Sequence, residues 1–153
     1  MNLGGGILSA VLGLWASVYG LVTIRRGLGA RPWPSVSGRI TGSTVRTRGR
    51  IKPLGIGGQR FHDFTVTYSY EVRGSAWRGH RIKFGEYGFG SYGDVEALKD
   101  RYREGARVTV YYDPDNPSDA VLEPGVGSDA WVGLGVGTVL LAAGIVILTH
   151  GLR

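Results

Sequence analysis

The chain has 153 residues, 18 Lys and Arg against 12 Asp and Glu, a net charge of +6 and no cysteine. That length leaves room for one domain at most beside two long apolar ends. The missing thiol excludes disulfides, cysteine nucleophiles and cysteine metal sites. Charge is segregated, because residues 1–24 and 130–149 carry no charged side chain.

The first apolar segment, LGGGILSAVLGLWASVYGLVTI at residues 3–24, would span about 30 Å as a helix, the thickness of a hydrocarbon core. Gly6, Ala10, Gly13, Ser17 and Gly20 recur at spacings of four and three. They form one stripe of small residues along which a second helix can approach. The segment lacks a positive start and is longer than a signal-peptide core, so cleavage is not expected. Arg25 and Arg26 end it, and Arg31 follows.

From Arg25 to Arg60 the chain carries nine cations and no acid, Asp63 being the first. Such a one-sided run beside an apolar helix fits an orientation signal, with attraction to anionic lipid as an added reading. Pro32-Trp33-Pro34 stops the helix and places Trp33 at a headgroup boundary. Residues 36–50 read as a strand with a bend or bulge. Residues 51–60 read as a Gly-rich mobile loop. They lack the spacing of a phosphate-binding loop, though Lys52 and Arg60 flank Gly55, Gly57 and Gly58.

Phe64, Val66, Tyr68, Tyr70 and Val72 alternate with polar residues and predict a strand over 64–72. Gly74 and Ser75 are expected to turn the chain into a second strand over 76–84. Residues 86–93, EYGFGSYG, form a flexible aromatic loop, and Trp77, Tyr87, Phe89 and Tyr92 are the aromatics expected to be exposed. Residues 94–103 switch to helical period, with Gly105 as the stop. Residues 107–113 and 120–124 are two further strands, joined by the turn DPDNPSD. The last segment, residues 131–151, is again apolar and long enough to cross a membrane. Gly133 and Gly137 form a GxxxG there, and Gly144 extends it.

The order β, β, β, α, β, β predicts an α+β membrane protein. Two transmembrane helices, at 1–26 and 129–153, flank a β-rich domain at 27–128. That domain is expected to be a small five-stranded antiparallel, barrel-like unit of the OB type with one helix, and a two-sheet or half-open barrel fits the pattern about as well. The cations after the first helix predict a two-pass integral protein of the cell membrane with its β domain in the cytoplasm.

The run Trp33-Pro34-Ser35-Val36 with Gly38, the stretch Tyr68-Ser69-Tyr70-Glu71-Val72-Arg73-Gly74, and Val108-Thr109-Val110-Tyr111-Tyr112-Asp113-Pro114 carry a resemblance. With Asn116-Pro117 and Ala120-Val121-Leu122-Glu123-Pro124, the chain resembles the bacterial domain-of-unknown-function family 3592 over roughly residues 30–128. The resemblance implies a β-rich domain followed by a second membrane helix, and no catalytic residue.

The residues themselves carry no enzyme signature. Asp113, Asp115, Asn116 and Asp119 are crowded, but Ser118 and Pro124 stand where a calcium loop needs Gly and Glu. A rigid turn with local side-chain caps is the expected reading. His62, Asp63 and His80 lack a nucleophile elbow and a third metal ligand. No catalytic, metal or cofactor residue is therefore assigned.

The expected function is a non-enzymatic, membrane-anchored module for a protein partner or a second copy of itself. The alternative is an anionic-lipid or polyanion binder, a membrane hydrolase ranks last, and nucleic acid is disfavoured. Arg25, Arg26, Arg31, Trp33, Trp77, Tyr87 and Phe89 are the candidate membrane or partner contacts. Gly6, Ala10, Gly13, Ser17, Gly20, Gly133, Gly137 and Gly144 are the candidate helix-packing positions.

Overall fold

The computed structural model describes residues 3–51, 59–86, 89–90 and 92–151. Two long helices, α1 (Leu3–Gly29) and α3 (Ser128–Gly151), bracket everything else. Each is long and apolar enough to cross a membrane. They run antiparallel, with Gly6 against Leu148, Gly13 against Leu141 and Gly20 against Leu134. The three glycines and Gly27 are seven residues apart. A strict seven-residue period keeps one seam facing the partner when two helices coil round each other.

The fit runs both ways. A Cβ on Gly137 would lie 2.7 Å from the Ser17 amide nitrogen, and one on Gly144 2.5 Å from that of Ala10. Gly13 is tighter still, its Cβ running into the Leu141 backbone. Ser9 Oγ donates to the Leu140 carbonyl across the seam at 2.9 Å. Gly133 differs, since a Cβ there meets nothing within 4 Å. The second helix therefore uses Gly137 and Gly144, a seven-residue spacing, and not the Gly133–Gly137 GxxxG that the sequence offered.

Between the helices lies an antiparallel sheet with the order β3-β2-β1-β5-β6. The strands are β1 (Ser35–Ile51), β2 (Gln59–Val72), β3 (Ser75–Gly79), β5 (Arg107–Tyr112) and β6 (Ala120–Val121). A two-residue strand, β4 (Phe89–Gly90), pairs with His62 and Asp63 of β2. The helix α2 (Tyr92–Arg101) packs its Val95 into the core. Asp94 in its first turn and Lys99 and Arg101 in its last complement the helix dipole.

The alternation read from β2 governs the core. Phe64, Val66, Tyr68, Tyr70 and Val72 are all buried, while Thr65, Thr67 and Glu71 are exposed. Two register shifts in β1, between Ile40 and Gly42 and between Arg48 and Arg50, are the expected bulges. The β2–β3 turn sits one residue earlier than expected. Val72 pairs with Ser75, and the two turn residues Arg73 (φ 52°) and Gly74 (φ 79°) both take positive φ. That is the mirror-image turn whose twist suits a two-residue hairpin.

The sheet does not close into the barrel expected from the sequence. Its outer strands, β3 and β6, do not pair with each other. The second strand of the hairpin ends at Gly79 rather than at residue 84, and β6 has only two residues. Pro124 and Gly125 (φ 122°) then deflect the chain from extended geometry. The two open margins are stitched by irregular backbone instead. Leu122 N–H donates to Arg81 O (3.3 Å), Glu123 N–H to Ile82 O (2.8 Å) and Gly127 N–H to Phe84 O (2.7 Å). The buried Tyr68 hydroxyl sits between the margins, 2.9 Å from Arg81 O and 3.0 Å from Ala120 O.

The expected loop at 51–60 lies mostly outside the described residues, including Lys52, Gly55, Gly57 and Gly58. Ile51, Gln59 and Arg60 belong to the β1–β2 ladder.

Candidate functional site

The acidic turn of the sequence motif is a structural knot. Asp119 O accepts from Asp113 N–H (2.9 Å), and Asn116 O accepts from Asp119 N–H (2.9 Å). Asp113 Oδ1 accepts from Asp115 N–H (3.0 Å), and Asn116 Oδ1 from the Ser118 hydroxyl (2.7 Å). Tyr70 donates its hydroxyl to Pro117 O at 2.5 Å. Arg81 forms an ion pair with Asp119. Asp113 thus caps backbone within the turn, Ser118 and Asn116 hold each other, and Asp119 ties the turn to Arg81 just past β3. No group of three or more His, Asp or Glu among the described residues could hold a metal ion.

Glu123, from the last motif segment, is a second hub. It accepts from Lys83 Nζ (3.0 Å), from Arg101 (2.8 Å) and from the Tyr102 hydroxyl (2.7 Å). Burial acts to raise its pKa, but these donors outweigh burial and leave it below the ordinary carboxylate value. The same contact and burial push the Tyr102 hydroxyl above its ordinary value. Glu86, nearby, is raised by burial first, with Glu123 and Asp129 adding to it against the pull of Lys83.

The junction between helices and sheet is built on glycines that sequence reasoning did not single out. A Cβ on Gly27 would strike Gly125 O at 2.6 Å. One on Gly85 would strike the Ala130 side chain at 2.5 Å and Thr23 Cγ2 at 3.0 Å. One on Gly127 would strike Gly85 O at 2.7 Å. Gly27 carried a signal, since it continues the seven-residue series of α1. Gly85 and Gly127 carried none, because their need arises from contacts between distant segments.

Beside these glycines, Trp33 packs edge-on against Phe84 (5.8 Å, 76°) in a small cluster with Ala30, Val121 and Tyr111. Trp33 is thus half-buried in the joint.

The other candidate contacts scatter. Arg25, Arg26 and Arg31 are exposed. Trp77, expected to be exposed, is half-buried and packs on the core. The register explains this, because Trp77 pairs with the buried Tyr70 and shares its face. Tyr87 lies outside the described residues. The backbone of Phe89 is in β4, so part of the expected aromatic loop is strand, and Tyr92 begins α2. His62 is buried in β2, while His80 is exposed just past β3.

One cleft of about 400 Å³ opens between α1 and the sheet. Tyr19, Val22, Thr23 and Arg26 of α1 form one wall, Asp63–Val66 of β2 another, and residues 80–86 the third. Its charged groups are Arg26, Arg81 and Lys83 facing Asp63 and Glu86, with His80 at the side. Arg81 also lies over the Phe84 ring at 4.7 Å.

The family model of a domain of unknown function, DUF3592, matches residues 36–127. That stretch holds the whole sheet except the first residue of β1, together with the acidic knot and the Glu123 hub, and the chain belongs to this family. No curated protein matches the chain.

Proposed function

We propose that this member of domain-of-unknown-function family 3592 is a two-pass integral membrane protein. Its β domain works without catalysis, as a protein-interaction or assembly module held at the membrane surface. One observation carries the reading. Among the described residues, every large apolar side chain that is exposed lies on α1 or α3, from Ile7 to Leu28 and from Trp131 to Ile147. A bilayer covers such a surface, and α-helices satisfy their own backbone within it. Arg25, Arg26 and Arg31 favour the cytoplasmic side for the domain.

Asp113, Asp119 and Glu123 of the family motif hold the turn itself, the segment 81–83 and the end of α2, which supports a role in holding shape rather than in proton transfer. The contact surface is the outer edge of β1. Strand β5 pairs only with Ser35–Arg39, and no described strand follows it over residues 42–51. An unpaired edge is a template for an added strand. Arg46 is exposed along it, and its charge suits an acidic extended segment of a partner protein.

The chain has no cysteine, so any introduced thiol is unique. Resistance to alkaline extraction tests membrane insertion, and release into the soluble fraction would remove the reading. Ser75→Cys, at the exposed β2–β3 turn, is expected to react with an impermeant maleimide only after permeabilisation. Labelling of intact cells would reverse the orientation. A photo-crosslinker at Thr44 is expected to trap one partner in native membranes, and Arg46→Glu to abolish the adduct. An adduct indifferent to that charge reversal would sink docking at the β1 edge.

A further inference from the structure

We propose that the cleft between α1 and the β domain is a phospholipid site. It takes one glycerophospholipid, with its phosphate on Arg26 and an acyl chain along Tyr19 and Val22. The inference rests on the two-pass reading and goes beyond it.

The geometry of α1 is the first argument. Tyr19, Val22, Thr23 and Arg26 follow one another at helical spacing on a face beside the glycine seam, and all line the cleft. Val22 and Arg26 are four residues apart, about 6 Å along the axis. One headgroup layer of a bilayer is about 5–8 Å thick. The cleft wall therefore passes from apolar to cationic over the distance at which a phospholipid passes from acyl chain to phosphate.

Charge is the second argument. Arg81 and Lys83 on the opposite wall already pair with Asp119 and Glu123. Arg26 is exposed and enters none of the ion pairs formed among the described residues. It is the spare cation of the cleft. Asp63 and Glu86 also line it, so a headgroup bearing a second negative charge meets repulsion. A headgroup that offers donors beside its phosphate, an ammonium or hydroxyls, meets acceptors instead. Shape agrees, because a volume of about 400 Å³ admits a headgroup and the first part of a chain while the rest lies along the exposed surface of α1.

Arg25 supplies an internal control. It is exposed like Arg26, carries the same charge and does not line the cleft. The test uses the full chain, extracted from membranes in mild detergent and weighed intact by native mass spectrometry. One retained phospholipid per chain is expected. After delipidation, titration with phosphatidylethanolamine and phosphatidylglycerol is expected to restore it. Arg26→Gln is expected to weaken retention about tenfold, the usual effect of losing one hydrogen bond to a charged group. Val22→Trp, which fills the apolar part, is expected to abolish it, and Arg25→Gln to leave it unchanged.

Equal loss for Arg25→Gln and Arg26→Gln would replace the site with diffuse surface charge and overturn the proposal. So would a wild-type chain that resists alkaline extraction yet retains no lipid, a result that leaves the two-pass reading standing. A chain that is not membrane-inserted overturns both. Soluble glycerophosphate competing as well as the lipid would remove the acyl-chain half of the site.

Discussion

The helix pair and the β domain are packed by opposite rules. In the helix pair the seam glycines Gly6, Gly13, Gly20, Gly137 and Gly144 are buried and most of the Leu, Val, Ile and Trp side chains face outward. In the β domain the core is built on Tyr68, Val66, Ile40, Val95 and Val110, and the polar residues Thr65, Thr67 and Glu71 between the core positions of β2 face out. A sheet in water gains by hiding apolar area. Two helices in hydrocarbon gain nothing that way and associate through close backbone contact. On the two-pass reading, one chain of 153 residues carries two solvents' worth of folding rules, and the glycines at Gly27, Gly85 and Gly127 join the two.

The sharpest way to break the contrast is to add bulk in the helix seam. Gly13→Leu would drive a side chain into the Leu141 backbone. Because backbone cannot move aside as a side chain tip does, the cost is expected to reach about 3 kcal/mol, the upper range for overpacking. Gly133→Leu, where a Cβ meets nothing within 4 Å, is expected to cost almost nothing. Pairing can be read by disulfide formation between single cysteines placed at Ser9 and Leu140, which are already hydrogen-bonded across the seam. Strong crosslinking in Gly13→Leu, or its loss in Gly133→Leu, would refute the heptad seam.

The second way is to remove one polar atom from the apolar core of the β domain. Tyr68→Phe keeps the ring beside Gly79 but deletes the hydroxyl between Arg81 O and Ala120 O. The two carbonyls at the sheet margin lose the one hydroxyl donor they share, Arg81 O keeping only Leu122 N–H, at an expected cost of about 1–3 kcal/mol. For a domain of this size that lowers the melting midpoint by roughly 4–8 °C per kcal/mol. An unchanged midpoint would mean that the margins hold together without the tyrosine, through their backbone hydrogen bonds alone.

These two regions were not equally legible in the sequence. The alternation from Phe64 to Val72 and the small-residue stripe of α1 are local periodicities, and local periodicity survives folding. The same spacing rule misjudged Gly133, because the seam repeats every seven residues and the GxxxG motif every four. The open sheet was not legible. Its closure depends on residues 81–84 meeting 122–127, and no pattern within either segment announces the other. The turn fell one residue early because nothing about Arg73 marks it for positive φ. Trp77 was misplaced because its face is set by a partner strand. The cleft was invisible for the same reason: Arg26 differs from Arg25 only by which side of the helix the sheet comes to rest on.

The smallest expected effects separate two carboxylates of one neighbourhood by sign. Glu123 has a folded-state pKa below its ordinary value near 4.5. Its stabilising contribution is therefore complete above that value and disappears as pH falls through the folded pKa. Glu86 is shifted the other way. The folded state favours its protonated form, so its contribution is present below the ordinary value and is lost as pH rises through the raised pKa. Glu123→Gln is expected to lower the melting midpoint at pH 7, with the difference closing as the pH falls through the lowered folded-state pKa. Glu86→Gln is expected to raise the midpoint at pH 7 and to lose that advantage in acid. Both shifts are modest, since each carboxylate keeps solvent contact and solvent screens it. Opposite signs at neutral pH would identify Lys83, Arg101 and Tyr102 as partners of Glu123 alone, with Glu86 left to repel Glu123 and Asp129. Two shifts of the same sign would instead make the pair one shared acidic site, and the hub drawn around Glu123 would have to include both.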